Sequence, residues 1–154
     1  MKLRDHVRAL EARLPGHTLI ELAAVLAAVG IALAIAAPIL SGTLDGLAVR
    51  AARDATVAEL ARARLLARLH GGAMVVLDAT GGAVWIEAEG DTLGTPIDLS
   101  GQYHASLDLS GDSRAVIVYD RLGLGRLANR TIRLVRGDAD ARLTVSAYGR
   151  VRAW

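Results

Sequence analysis

The pattern of apolar and polar positions divides the chain into parts with different periods. Residues 22–40 contain no charged side chain. As a helix rising 1.5 Å per residue they would span roughly 28 Å, which is enough to cross the hydrocarbon core of a bilayer. The pattern therefore predicts a membrane-spanning helix near the start of the chain.

Residues 43–70 have an amphipathic pattern instead. Apolar residues recur there at near-helical spacing with arginines between them: Leu44, Leu47, Ala51, Ala55, Ala58, Leu65 and Leu69. Gly71 and Gly72 supply a stop signal. We therefore expect the apolar helix to continue to residue 70, loosened around Pro38, Gly42 and Gly46, with its outer half docked on a sheet.

After Gly72 the period changes to that of short strands bounded by turn residues. Thr80-Gly81-Gly82 predicts a hairpin between the first two strands. The predicted strands are residues 73–79, 83–89, 103–109, 114–120, 130–136 and 141–147. No helix is expected after His70, so the fold class is α+β, one long helix packed on an antiparallel β-sheet domain. The expected segments are an N-terminal segment (1–16), a membrane-spanning helix (17–40), its amphipathic continuation (41–72) and the β-sheet domain (73–154).

Composition and charge refine this organisation. Hydrophobic residues make up 53% of the chain, aromatic residues only 3%, and there is no cysteine and hence no disulfide or thiolate chemistry. The net charge of +2 comes from residues 1–16, since the rest balances. A basic segment before a membrane span stays in the cytoplasm, so the residues after position 40 should lie on the outer side of the membrane.

Three ordinary interpretations of the apolar segment are open. It could be a secretory signal cleaved after "AIAA", but the apolar region is long for one and Pro38 would follow the cut. It could be a simple uncleaved anchor, which leaves Glu21 at its edge unexplained. It could be a buried helix of a soluble protein, although such helices are seldom apolar on all sides for so long.

A more specific interpretation comes from "PGHTLIEL", residues 15–22, followed by the uncharged run. This resembles the class III signal of type IV pilins and type II secretion pseudopilins. The resemblance implies that a prepilin peptidase cuts after Gly16 and N-methylates His17, where the family usually has Phe. It also implies that Glu21 matches the family's glutamate four residues after the new first residue, and that Pro38 matches its helix-bending proline.

The resemblance also suggests why an acid stands at the edge of an apolar run. In the family's filaments this carboxylate neutralises the α-amine of a neighbouring subunit, and breaking such a buried pair is costly. Glu21 would then set the assembly register. The implied location is the bacterial inner membrane, single-pass, with the C-terminal domain in the periplasm until the subunit joins other pilin or pseudopilin subunits in a filament.

The C-terminal half has a narrower resemblance. "AVIVYDRLGLG", a hairpin and "LTVSAYGRVRAW" are similar to the GspH/FimT group, which ends in Gly-Arg-x-Arg, here Gly149 to Arg152. The resemblance implies a structural subunit of a type II secretion pseudopilus or of a type IV pilus. The alternative is a DNA-binding minor pilin that acts in DNA uptake.

Arginine chemistry is what the DNA alternative depends on. Arg150 and Arg152 should share one face of a terminal strand, with Val151 toward the core, and guanidinium groups fit phosphates well. The arginines that could extend this surface are Arg121, Arg126, Arg130, Arg133 and Arg136. Tyr148 and Trp154 either stack on bases or, as we expect, seal the end of the core.

The remaining patterns carry weaker signals. Residues 78–120 hold eight acids against Arg114, and residues 121–152 hold eight arginines against two acids; we expect pairing between strands, with two binding surfaces as the alternative. "GLGRLA" at 123–128 has dinucleotide-fingerprint spacing but precedes a strand, so a turn is expected. Glu87, Glu89 and Asp91 predict a solvated edge rather than a Ca²⁺ site. We expect no metal site, no cofactor and no enzymatic activity.

Overall fold

The computed structural model describes residues 18–126 and 129–154, which form two compact units divided between Ile39 and Leu40. The predicted leader, residues 1–16, and His17 lie outside the described residues. Helix α1 (Leu19–His70) supplies the first unit and the beginning of the second. All strands belong to the second unit.

In the first unit every described side chain is solvent-exposed. The helix is long and apolar enough to cross a membrane, and no part of its most apolar stretch is buried within the protein. It is helical without interruption through Pro38. The predicted long helix is therefore present, while the loosening expected at Pro38 stays a prediction.

In the second unit, α1 docks through a face other than the one its leucines mark. Leu44, Leu47, Leu65 and Leu69 are exposed by between 51% and 71%. The buried positions are Val49, Ala52, Thr56, Glu59, Leu60, Ala63 and Ala67. This helix has apolar residues on several faces, so periodicity could not select the docked one. The alanines bring the helix axis close to the sheets, and the buried Thr56 hydroxyl donates to the Ala52 carbonyl oxygen at 2.8 Å.

Within the described residues, ten strands form two antiparallel sheets. The first sheet contains β1 (Gly72–Asp78), β2 (Ala83–Ala88), β3 (Asp91–Thr92), β4 (Ile97–Asp98), β6 (Arg114–Asp120) and β7 (Gly125–Arg126). The second contains β5 (Ser106–Asp108), β8 (Arg130–Arg136), β9 (Ala139–Val145) and β10 (Val151–Ala153). The sequence predicted a single sheet domain, and the short strands at the edges were not foreseen.

The strand order places the C-terminal residues at a sheet edge. The first sheet runs β3-β2-β1-β6-β7, with β4 also paired to β2, and the second runs β10-β9-β8-β5. In the strand register of the second sheet, Arg152 lies opposite Thr144 and Arg133 lies opposite Arg142. Inward residues of both sheets and the buried face of α1 meet in one hydrophobic core.

The expectation of no helix after His70 is wrong. A short helix, α2 (Leu99–Tyr103), precedes β5, and the carboxylate of Asp98 accepts the Gly101 N–H at 2.7 Å as its N-cap. His104 ends the helix in a left-handed conformation, with φ of 51°. The strand predicted from residue 103 therefore begins only at Ser106, because the local Asp98 cap competes with extended structure.

Candidate functional site

The start of α1 contains the acid at the edge of the apolar run. The hydroxyl oxygen of Thr18 accepts the backbone N–H of Glu21 at 3.3 Å. Thr18 thus stands at the N-cap and Glu21 in the first turn, where a carboxylate interacts favourably with the helix dipole. Sequence reasoning missed this cap, although Thr-x-x-Glu before an apolar run is its signal. Gly16 and His17 lie outside the described residues.

The apolar side chains that follow form an uncovered surface. From Leu19 to Ile39 the large ones are exposed by between 49% and 87%. An apolar surface of this extent is typical of contact with lipid or with other protein. Pro38 lies at the end of this stretch, next to the division between the two units.

The second candidate region is a tight turn before β10. The Gly149 N–H donates to the Ser146 carbonyl oxygen at 2.7 Å, and the Arg150 N–H donates to the Ser146 hydroxyl oxygen at 3.0 Å. Gly149 has φ of 79°, a left-handed value that favours glycine. A Cβ there would lie 2.7 Å from Cε1 of Tyr119 and 3.0 Å from the Gly125 nitrogen. The turn therefore needs this glycine.

The turn packs against the side chain of Tyr119. This side chain is fully buried, and the Arg64 guanidinium lies 5.4 Å from the ring centroid in a cation–π contact. Burial raises the pKa of the Tyr119 hydroxyl, so the group stays neutral. The glycine of the Gly-Arg-x-Arg segment is thus fixed by the core, and the arginines that follow it start from a defined position.

Both predicted arginines line one groove, but only Arg152 belongs to the terminal strand. Arg150 lies in the turn before β10, where its carbonyl oxygen accepts the Ser146 N–H at 2.8 Å. Val151 is half-buried and packs on the core, as predicted. The groove has a volume of about 460 Å³. Its lining residues are Asn129, Thr144, Ser146, Tyr148, Arg150, Arg152 and Trp154.

The expectation that Tyr148 and Trp154 seal the core is wrong. Tyr148 is 79% exposed and Trp154 is 67% exposed. Trp154 is held by its backbone: its N–H donates to the Arg142 carbonyl oxygen at 3.0 Å, and its carbonyl oxygen accepts from Arg53 at 3.1 Å. Both aromatic rings are therefore largely in solvent.

Arg133 and Arg136 do not extend the groove as free cations. Arg133 lies on the outer face of β8, where its guanidinium donates to Asp140 at 3.1 Å. Arg136 is three residues on and faces the opposite side, where its guanidinium pairs with Asp45 at 2.7 Å. Arg130 pairs with Asp112, and Arg142 shares Asp140.

Within residues 18–126 and 129–154, four arginines of the basic stretch form no ion pair: Arg121, Arg126, Arg150 and Arg152. Ion pairs therefore account for half of the eight arginines, but only the pair of Arg133 with Asp140 joins two neighbouring strands as expected. The remaining positive charge includes both arginines of the groove.

Four of the eight acids of the acidic stretch cap turns or the short helix α2, a role that the sequence did not predict. Asp78, Asp98, Asp108 and Asp120 each accept backbone N–H groups two to four residues ahead. The Leu124 N–H lowers the pKa of Asp120, and the Gly101 N–H lowers that of Asp98. An Asp at a strand end followed by Gly is the signal for such turns. These carboxylates serve the fold, and an acidic binding surface gains no support from them.

The structure also bears on the metal-site and nucleotide-site alternatives. Glu87 accepts the Trp85 indole N–H at 2.6 Å and pairs with Arg114 at 3.8 Å. Among the described residues, no group of three His, Asp or Glu side chains could hold a metal ion. A turn and the short strand β7 occupy the described part of "GLGRLA", and β8 follows. The expected turn at this position is confirmed.

Comparison with solved structures gives two crystal forms of the type IV minor pilin FimU of Pseudomonas aeruginosa strain PAO1. The first is 17% identical over 69% of this chain and 87% of the FimU chain, with a TM-score of 0.53. The second is also 17% identical, over 68% and 91%, with a TM-score of 0.51. Neither a comparison with protein-family models nor one with curated proteins gives a match. The α+β prediction is confirmed, and the chain has the fold of a type IV minor pilin.

Proposed function

We propose that the chain is a structural subunit of a filament, a minor pilin of a type IV pilus. The observation that carries this is the uncovered apolar half of α1, joined in one chain to a domain with the minor-pilin fold. A pseudopilin of type II secretion would have the same parts. The likeness to FimU favours the pilus. The role is mechanical and needs no catalytic residue or cofactor.

The proposed assembly starts in the inner membrane. Residues 1–16 remain in the cytoplasm, the apolar part of α1 spans the bilayer and the sheet domain lies in the periplasm. A prepilin peptidase cleaves after Gly16 and methylates the α-amine of His17. Cleavage creates this amine one residue before the Thr18 cap, at the positive end of the helix dipole, where a cation is unfavourable.

Glu21 offsets this cost in the proposed filament. A carboxylate in the apolar layer is itself costly, by roughly 2.5–3.5 kcal/mol at the centre of a span and less near its end. Pairing the Glu21 carboxylate with the α-amine of a neighbouring subunit places two opposite charges side by side in the apolar layer. Removing one partner of such a pair costs about 3–5 kcal/mol, which fixes the register between subunits.

Processing is tested by intact-mass measurement of the membrane-extracted protein from cells with an active prepilin peptidase. We expect a chain that starts at His17 and carries an added methyl group. Gly16→Val, which places a branched side chain at the cleavage site, should keep the full 16.1 kDa chain. A wild-type protein that retains Met1 would contradict the proposal.

A second candidate function is DNA binding during uptake, favoured by Arg150 and Arg152 in one groove without carboxylate partners among the described residues. Two duplex phosphate contacts contribute a slope of about −1.8 to log K against log salt concentration. The test is a titration of the full chain in nonionic detergent with duplex DNA at several salt concentrations.

The variant for this titration is Arg150→Gln plus Arg152→Gln. The control, Arg50→Gln plus Arg68→Gln, removes the same charge from exposed positions of α1 outside the groove. We expect only the groove variant to lose about that slope. If wild type fails to bind at low salt, the DNA candidate is wrong and the structural role is unaffected.

A further inference from the structure

We propose that the groove lined by Tyr148, Arg150, Arg152 and Trp154 binds single-stranded DNA in preference to duplex DNA. The inference deepens the second candidate function and rests on it. It assigns the two aromatic side chains to the faces of unpaired bases and the two guanidinium groups to the phosphates between them.

The arrangement of these four residues is the first argument. They alternate along the chain at positions 148, 150, 152 and 154, while Val151 between them packs on the core. Arg152 lies in β10 and Trp154 follows two residues later, so alternation places these two side chains on the same side. Tyr148 and Arg150 line the same groove from the turn before β10, so two rings and two cations share one groove.

The position of this segment is fixed at both ends. Gly149 packs against Tyr119, and the backbone of Trp154 is held by Arg142 and Arg53. A site whose supporting backbone is fixed loses less conformational entropy when it binds a ligand. Thr144 and Asn129 add a hydroxyl and an amide to the groove wall, which suit the edges of bases.

The charge of the groove is the second argument. No acidic residue lines it, and within residues 18–126 and 129–154 neither Arg150 nor Arg152 has a carboxylate partner. Arg133 and Arg142 on the same sheet share the one carboxylate of Asp140, so only one of their two positive charges is compensated. In the groove neither guanidinium group is compensated by a carboxylate of the described residues, and a polyanion suits this charge.

The aromatic rings decide between single and double strands. Tyr148 and Trp154 expose 79% and 67% of their surfaces. Rings beside a basic groove are typical of single-strand binding proteins, where bases stack on them. In a duplex the faces of the bases are already stacked on each other, so the rings have nothing to stack on.

The test compares one strand in two states. The full chain in nonionic detergent is titrated with a fluorescent oligothymidine of about 12 nucleotides, a length within the usual site size, and with the same strand annealed to oligoadenine. Wild type is compared with Tyr148→Ala plus Trp154→Ala, which removes both rings and keeps the charge. Tyr148→Phe plus Trp154→Phe keeps a ring at each position and serves as the rescue variant.

We expect tighter binding of the single strand. The alanine variant should lose about 5- to 140-fold in single-strand affinity per ring, from the usual range for base stacking. Its duplex affinity should not change, and the phenylalanine variant should retain most of the single-strand affinity.

Equal affinity for both states, or an alanine variant with unchanged single-strand affinity, would overturn the proposal and leave DNA binding through the arginines intact. Absence of binding to either probe at low salt would overturn both the single-strand proposal and the DNA candidate.

Discussion

Replacement of Gly149 by alanine tests whether the turn before β10 is packed on the core as described. The left-handed φ of 79° costs a non-glycine residue about 1–2 kcal/mol. The added Cβ meets Tyr119 at 2.7 Å and the Gly125 backbone at 3.0 Å, so the core or the sheet must shift. Overpacking of this kind costs about 1–3 kcal/mol more. Gly149→Ala should therefore destabilise the second unit by about 2–5 kcal/mol.

Gly111 supplies a matched control for backbone strain. Its φ is 98°, yet an added Cβ would meet nothing within 4 Å. Gly111→Ala should therefore show the strain alone, about 1–2 kcal/mol. At roughly 4 °C per kcal/mol, Gly149→Ala should melt about 4–12 °C below Gly111→Ala.

The assay is thermal unfolding of the full chain in nonionic detergent, followed by near-ultraviolet circular dichroism of the tyrosines and tryptophans. Equal melting temperatures for the two variants would refute the close packing of Gly149 on Tyr119. The positioning of the arginines by this glycine would then lose its physical basis.

Three further substitutions test ion pairs and burial in the second unit by the same thermal assay. Arg136→Gln should lower the free energy of unfolding by about 1–2 kcal/mol, because it removes a half-buried ion pair with Asp45. A double-mutant cycle with Asp45→Asn should show coupling between the two residues. Additive effects would contradict the ion pair. The hydrogen bond from Arg133, with the charge of that guanidinium, holds the pKa of Asp140 below its ordinary 3.8. The stabilisation is therefore present above pH 3.8 and is lost as pH falls through the lower folded pKa, so Asp140→Asn should lower Tm at neutral pH but not at pH values below that pKa. A Tm difference that does not change with pH would rule this out. Tyr119→Phe should be neutral or stabilising, because the buried hydroxyl has no hydrogen-bond partner among the described residues; a large loss of Tm would reveal one.

The sequence predicted the elements that depend on strong periodicity. Residues 114–120 and 130–136 alternate apolar and polar side chains, and both are strands with the same bounds in the structure. The glycines after Thr80 predicted the hairpin between β1 and β2, which pair in antiparallel register. These predictions succeed because alternation, turn residues and helix length act locally.

Predictions that depended on tertiary context fared less well. The leucines at 44, 47, 65 and 69 dominate the pattern of α1, but they are exposed, and the docked face includes the alanines at 52, 63 and 67 together with Leu60. The short helix α2 depends on one capping carboxylate, a signal too weak to override a strand-like pattern.

For the candidate site, the sequence identified Arg150 and Arg152 but not what separates them from the other arginines. Arg133 and Arg136 are equally basic in the sequence, yet each has a carboxylate within 3.1 Å in the fold. Asp45 lies far from Arg136 in the chain, so only the tertiary structure reveals this pairing. The exposure of Tyr148 and Trp154 is likewise visible only in the tertiary structure.

Analysis of sheared filaments tests the central claim, that this chain is a filament subunit assembled through α1. Filaments and membranes from cells that produce the protein are separated and analysed by mass spectrometry for wild type, Glu21→Gln and the control Glu89→Gln, which makes the same chemical change outside α1. The account predicts the mature chain from His17 in the filaments. It also predicts a loss on the order of tenfold or more for Glu21→Gln alone, with the variant still present in membranes. A wild-type chain found only in membranes would contradict the account.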